Sequence, residues 1–329
     1  MDENSNKRLC RQKLPAFLNS RDGWGKLLEM KRPHFPHLHQ IEPTNVCPYR
    51  CMMCPRGKEM TRKTGFMEFS VFSKVIDEVV AYPEEIKKKE LKLFHFGESL
   101  LHPQIGEMNE YAASRGLNTV LSVNAIEFNP AIAEKLIRGN ASKIIVSLDG
   151  FDAESFETIR GRKIDYQQAI ENILQASALI RSLNGTTKLF IRMIALILNA
   201  HKIEAFKSYW QEKNIDTEIR RFFPWGEKEM LEIGEYDKYP PFMPCPFSWQ
   251  YLVVQWNGDV VACCRDYNAE NKMGNVKRAS LEEIWNSKKY TTFRENMIRG
   301  NYTHSICQTC MNIYYTETFP GVESNQNHL

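Results

Sequence analysis

No apolar run long enough to cross a bilayer occurs in the 329-residue chain, and Met1-Asp2-Glu3-Asn4-Ser5 carries no hydrophobic signal core. The first absence removes a membrane-spanning helix and the second a secretory signal, so a cytoplasmic protein with no membrane partner is expected. A charge excess of either sign is also missing. Lys and Arg number 43 against 40 Asp and Glu, a formal charge of +3, and nothing in that balance calls for a nucleic-acid partner. Repeats and low-complexity tracts are absent, and 43% hydrophobic with 25% charged residues is ordinary for a chain that buries a full core. Between Cys54 and Cys245 lie 190 residues without one cysteine. The nine that exist are therefore clustered: Cys47, Cys51 and Cys54 early, Cys245, Cys263, Cys264, Cys307 and Cys310 late, and Cys10 alone. In a reducing compartment such groups point to metal rather than to disulfides, and two groups point to two centres.

Residues 1–36 read as a basic, Pro-containing lead-in with a short amphipathic helix around Trp24–Met30. Apolar strand-like runs then alternate with helical periodicity. The pattern predicts strands over His37–Glu42, Leu91–His95, Thr119–Val123, Lys143–Leu148, Lys188–Leu196 and Glu218–Phe223. Helices fit between them at Ser70–Ala81, Gln104–Arg115, Ala131–Arg138, Tyr166–Ser182 and Ile203–Lys213. Strands and helices in alternation indicate βαβ units and a parallel sheet, so residues 37–225 are expected to form an α/β fold, a partial (β/α)6 TIM-like barrel.

Phe223-Pro224-Trp225-Gly226 ends that pattern, and 226–317 is expected to be a C-terminal unit followed by a polar tail, 318–329. Within it, Asn257-Gly258-Asp259 between Trp249–Trp256 and Val260–Cys263 is a hairpin signal. Ser280-Leu281-Glu282-Glu283 is a capping box that opens a helix.

The first cysteines lie in Glu42-Pro43-Thr44-Asn45-Val46-Cys47-Pro48-Tyr49-Arg50-Cys51-Met52-Met53-Cys54-Pro55-Arg56, just after the first strand, at the mouth where such barrels carry their sites. Three thiolates can hold three irons of a [4Fe–4S] cluster and leave one open; a structural zinc site is the alternative. Cys-x3-Cys-x2-Cys after a first strand resembles the radical S-adenosylmethionine (SAM) superfamily. The resemblance implies that the open iron binds the amino and carboxylate groups of SAM. It also implies reductive cleavage of SAM to a 5′-deoxyadenosyl radical that abstracts hydrogen, with electrons from a donor such as flavodoxin or ferredoxin.

Met53 stands where the family has an aromatic residue and by resemblance packs on adenine. Phe96-Gly97-Glu98-Ser99 is similar to the family's Gly-Gly-Glu-Pro stretch, which implies that Gly97 and Glu98 meet the SAM amino group. Ser122 and Asn124 correspond to ribose contacts, with ordinary turn chemistry as the alternative. Ser147 and Arg160 correspond to carboxylate contacts, which suit a guanidinium fork.

Cys245, Cys263, Cys307 and Cys310 suffice for a closed four-thiolate site, either zinc or a second [4Fe–4S] cluster. Trp256-Asn257-Gly258-Asp259-Val260-Val261-Ala262-Cys263-Cys264-Arg265-Asp266, with Gly274-Asn275-Val276 and Ser280–Asn286, resembles the auxiliary-cluster (SPASM) domains of that superfamily. The cysteine count matches their shortened twitch form, which implies one fully ligated cluster. In that subgroup the layout is similar to aminocyclitol dehydrogenases and aminoglycoside epimerases.

The implied activity is oxidation of a carbinol to a ketone in a small hydroxylated substrate, a sugar, aminoglycoside or cyclitol. Neighbouring residues on a strand face opposite ways, so Cys263 and Cys264 are not both expected to bind one cluster. Cys264 then either donates a hydrogen atom, as an epimerase requires, or packs as a small hydrophobe. Peptide modification, and a non-catalytic zinc or iron–sulfur protein, are the remaining readings.

Overall fold

A computed structural model describes residues 18, 20–222, 244–302 and 304–309. Six parallel strands lie side by side in chain order: β1 (His37–Ile41), β2 (Glu90–Lys92), β3 (Asn118–Asn124), β4 (Lys143–Ser147), β5 (Lys188–Ala195) and β6 (Asp216–Arg221). All six match the strands read from alternation, with ends displaced by a few residues. Phe223, the last residue of the sixth predicted run, lies outside the described residues.

Side chains alternate across this sheet. Leu91, Leu121, Val123, Ile144, Val146, Ile191 and Met193 face the helical layer and are buried in one apolar core. Lys92, Ser122, Ser147, Arg192 and Glu218 occupy the alternate positions and face the other side, the barrel interior. The core is closed by α2 (Phe69–Val80), α4 (Ile105–Ala113), α5 (Pro130–Arg138), α7 (Tyr166–Ser182) and α8 (Ile203–Glu212). Each fully buried Leu, Ile or Phe in it contributes about 1.5–3 kcal/mol.

Local signals start these helices where they are needed. Asn129 caps α5 with Pro130 in its first turn, Asp165 caps α7, and Asp152 caps α6 (Ala153–Arg160). A short helix, α3 (Glu84–Lys87), precedes β2, and α1 (Arg21–Lys31) lies across the lead-in where an amphipathic helix is predicted.

The late residues extend the same sheet. β7 (Tyr251–Val254) pairs parallel to β1, and β8 (Asp259–Val261) and β9 (Lys272–Asn275) follow antiparallel, giving the order β6-β5-β4-β3-β2-β1-β7-β8-β9. Asn257-Gly258 makes the expected turn, with Gly258 at φ +87°. The third strand and α10 (Lys288–Arg299) escape the pattern. α10 offers only Tyr290, Phe293 and Met297 as a thin apolar stripe beside a buried Arg294. The capping box of Ser280 and Glu283 is present and opens α9 (Leu281–Trp285); α11 (Ser305–Thr309) carries Cys307. Among the described residues no helix is long and apolar enough to cross a membrane.

Candidate metal and cofactor centre

The loop carrying Cys47, Cys51 and Cys54 leaves the C-terminal end of β1 and is clamped from two sides. On one side the Glu98 N–H donates to the Val46 carbonyl (2.9 Å). Gly97 allows this approach: a Cβ there would stand 2.1 Å from the Thr44 carbonyl oxygen. On the other side, the Arg50 and Met52 N–H groups donate to the carbonyls of Arg160 (3.2 Å) and Ile159 (2.9 Å). The loop therefore satisfies carbonyls that the end of α6 would otherwise leave open. Gly161 ends α6 in the left-handed region (φ +64°), where a Cβ would lie 2.3 Å from the Arg50 carbonyl oxygen.

The residues singled out beside these cysteines gather at the same ends of the strands. Glu98 is buried and accepts from the Leu100 N–H (3.1 Å), the Asn124 N–H (2.8 Å) and the Asn124 side-chain amide. Both of its oxygens are thus engaged within the protein, and burial pushes its carboxyl up to about 7. Ser122 and Ser147 hydroxyls are 3.5 Å apart. Arg160 donates to the Ser147 carbonyl, pairs with Asp149 (2.9 Å) and places Nη1 3.7 Å from the Cys51 sulfur. Its Nε is buried and makes no hydrogen bond. Met53 is buried with Ile159, Leu196 and Phe222 in a small apolar group separate from the main core.

Sequence reasoning missed the residue that ties this loop to the late cysteines. Glu42, fully buried, receives both terminal nitrogens of Arg62 (2.7 and 2.5 Å) and the N–H groups of Phe96 and Trp256 (3.2 Å each). His95 Nδ1 lies 3.4 Å from it. Burial alone would raise this carboxyl, but His95 and Arg62 outweigh that and hold it down near about 2. His95 turns its other nitrogen to the Cys264 carbonyl (2.7 Å), and Arg62 Nε donates to the Tyr267 carbonyl (2.6 Å). A lone acid after a strand gives no pattern in sequence; only the fold reveals the four chain segments it joins.

The late cysteines fall partly within view. β8 ends at Val261, so Cys263 and Cys264 stand in a turn rather than on a strand. The opposite-face argument does not apply there, because neither residue lies on a strand. Asp266 organises the turn by accepting from the Glu270 (2.8 Å) and Asn271 (2.6 Å) N–H groups. Burial pushes the Tyr290 hydroxyl up. Cys245 and Cys307 pack against the edge of the main core. Cys310 and Cys10 lie outside the described residues.

The chain belongs to the radical SAM superfamily: the profile of that superfamily matches residues 41–205, and that of the SPASM iron–sulfur cluster-binding domain matches residues 245–311. It is 23% identical over 316 residues to the tungsten-containing aldehyde ferredoxin oxidoreductase cofactor-modifying protein of Pyrococcus furiosus, covering 82% of this chain and 86% of that protein. It is 32% identical over 72 residues to the S-adenosyl-L-methionine-dependent 2-deoxy-scyllo-inosamine dehydrogenase of Niallia circulans, 22% of this chain and 29% of that one.

Among solved structures, BtrN in complex with AdoMet and 2-DOIA is similar in fold, with a TM-score of 0.54 at 16% identity over 84% of this chain and 93% of BtrN. Streptococcus suis SuiB bound to precursor peptide SuiA gives 0.64 at 14% identity over 82% and 69%.

The family implies SAM and a [4Fe–4S] cluster, and the SPASM domain an auxiliary iron–sulfur centre. The early site's chemistry fits. Burial pushes the Cys47 thiol up to about 12 and the Cys54 thiol up to about 11, and iron held there would displace their protons. Among the described residues no three His, Cys, Asp or Glu stand close enough to hold a single metal ion. Thiolates on separate irons of a cluster stand farther apart than ligands of one ion. The unsatisfied Nε of Arg160 beside Cys51 leaves a donor for a ligand on that cluster.

Proposed function

We propose that this chain oxidises a carbinol of a small hydroxylated substrate to a ketone, starting with hydrogen abstraction by the radical made from SAM. Cys47, Cys51 and Cys54 would hold the cluster that supplies the electron for SAM cleavage. Gly97, Glu98, Ser122, Asn124, Ser147, Arg160 and Met53 would seat SAM, Met53 offering the apolar surface for adenine. Cys245, Cys263, Cys307 and Cys310 would hold a second cluster, which supplies an acceptor for the second electron of the oxidation. The domain limits 37–225 and 226–317, a cytoplasmic setting and a flavodoxin or ferredoxin as donor belong to the same proposal.

One observation carries it: the turn bearing Cys263 and Cys264 is fixed to the mouth of the barrel by His95, beside the Glu42 that precedes the first cysteine loop. A carbon radical formed at that mouth lies next to an electron acceptor. The resemblance to the 2-deoxy-scyllo-inosamine dehydrogenase, over part of the chain, points the same way.

A second reading, epimerisation, is favoured by Cys264, whose carbonyl meets His95 Nε2 at 2.7 Å at the same mouth. Product analysis in deuterated water separates the two, using reconstituted wild-type and Cys264→Ala protein on a panel of polyols, sugar phosphates and aminocyclitols. Oxidation predicts a carbonyl product that both proteins form. An epimer carrying solvent deuterium, lost in Cys264→Ala, contradicts it.

A further inference from the structure

The outer surface of the first cysteine loop is basic. Arg50, Lys58, Arg162 and Lys163 are exposed there, and Cys47, Cys51 and Cys54 are only half-buried. Short contacts join these cations into one face. A Cβ on Gly57, the neighbour of Lys58, would stand 3.3 Å from the Arg50 Cα. One on Gly161, the neighbour of Arg162, would stand 3.2 Å from the Arg50 Cβ. Lys58 Nζ donates to the carbonyl of Met52 (3.3 Å), which lies between Cys51 and Cys54. Arg162 lies over the Tyr49 ring, 5.4 Å from its centroid, and Lys163 follows it. Met52 is itself an exposed apolar side chain.

The carboxylates adjoining these cations are engaged within the protein. Glu127 accepts from the Tyr49 hydroxyl (2.5 Å) and lies 3.6 Å from Arg162. Glu59 accepts from the Tyr267 hydroxyl (2.6 Å), and Asp165 caps α7 through the Gln168 N–H (3.1 Å). Of the four exposed cations only Arg162 has a carboxylate within ion-pair distance among the described residues. The whole chain carries a formal charge of only +3, so the concentration at this loop is local. An exposed face of this kind attracts an anionic partner and speeds its encounter.

We infer that an acidic electron-transfer protein docks on this face, its carboxylates meeting Arg50, Lys58, Arg162 and Lys163 around Met52. This rests on the reading that Cys47, Cys51 and Cys54 hold the cluster that cleaves SAM. The donor protein loses one electron and the first centre gains it; no proton or group moves with it. Such encounters use small interfaces, in which charge guides the approach. Met52 supplies a small apolar contact at the centre of the cationic ring.

Reconstituted protein with SAM is reduced in parallel by dithionite, which needs no docking surface, and by a photoreduced acidic flavodoxin or a reduced acidic ferredoxin. 5′-Deoxyadenosine formation gives the rate, and calorimetry with the oxidised donor gives its Kd. With at least one donor, wild type should cleave SAM at a rate that falls as salt rises. The double variant Lys58→Glu, Lys163→Glu should lower that rate and raise the Kd by about tenfold, with the dithionite rate unchanged. Lys188→Glu reverses an exposed charge at the start of β5, at the opposite end of the strands, and should change neither.

A donor-driven rate and Kd unchanged in the double variant, a rate indifferent to salt, or no reduction of wild type by either donor overturns the proposal. So does an equal loss with dithionite, which assigns the cations to the cluster instead of a partner. Lys188→Glu matching the double variant overturns it too, since charge anywhere on the surface then suffices. A wild type that cleaves no SAM with dithionite sinks the reading of the first centre. The docking face is judged apart from that, by whether the donor's Kd rises in the double variant.

Discussion

His37 and Glu42 flank the two ends of β1 and solve burial in opposite ways. Glu42 stays ionised because Arg62, His95 and two backbone N–H groups surround it. The His37 ring makes one hydrogen bond, Nε2 to the Glu90 carbonyl (2.9 Å), and burial drives its imidazole down to about 4. Between the free-chain value of 6.5 and about 4, the unfolded chain takes up a proton that the folded one refuses. Stability is therefore full above that window and falls as the pH drops through it, by up to about 3 kcal/mol at the bottom. In His37→Gln, which keeps a donor for Glu90 but does not titrate, thermal melts from pH 7 to about 4 should show a shallower loss of Tm than wild type. Equal slopes would show that His37 does not set the acid limit.

Among the elements, α6 bears directly on the site, because its C-terminus holds the first cysteine loop. Gly161→Ala places a Cβ in the left-handed region against the Arg50 carbonyl. Gly116→Ala imposes the same kind of strain (φ +82°) with nothing within 4 Å. Gly116→Ala should cost only about 1 kcal/mol and leave iron content intact. Gly161→Ala should cost more and lower iron bound at the first site, read by absorbance and iron assay. Identical behaviour of the two variants would remove the role assigned to α6.

Elements of this kind were legible where periodicity was strong. Apolar runs such as Lys143–Ser147 and the long stripe of Tyr166–Ser182 place the sheet and its helices from sequence alone. α10 was not legible, since a buried Arg294 stacked between Trp285 and Tyr290 reads as a surface charge. Cysteine spacing marked both centres. The orientation of Cys264 did not follow, because it depended on a strand that ends at Val261, two residues before Cys263. The clamp of Glu42, Arg62 and His95 is built from single residues distant in sequence, and no local pattern announces it.

Across the whole molecule, the late hairpin continues the barrel sheet through β1 and β7 rather than standing apart. Trp256 packs on Gly65, where a Cβ would lie 2.4 Å from the ring, and Tyr267 and Asn268 hold Glu59. The segment after the first cysteines is thus gripped by the segment that carries the later ones. A two-centre reaction needs that kind of fixed relation, because the hydrogen taken at one place and the electron passed to another must come from the same bound substrate.

The central claim is that Cys47, Cys51 and Cys54 hold the cluster that cleaves SAM while the later cysteines hold another. Iron content and 5′-deoxyadenosine formation, measured after anaerobic reconstitution and reduction with SAM, test it most directly. Wild type should bind about eight irons per chain and release 5′-deoxyadenosine. With Cys47, Cys51 and Cys54 all changed to Ala, about four irons should remain and no 5′-deoxyadenosine should form. A wild type that cleaves no SAM, or a triple variant that still does, would contradict the account.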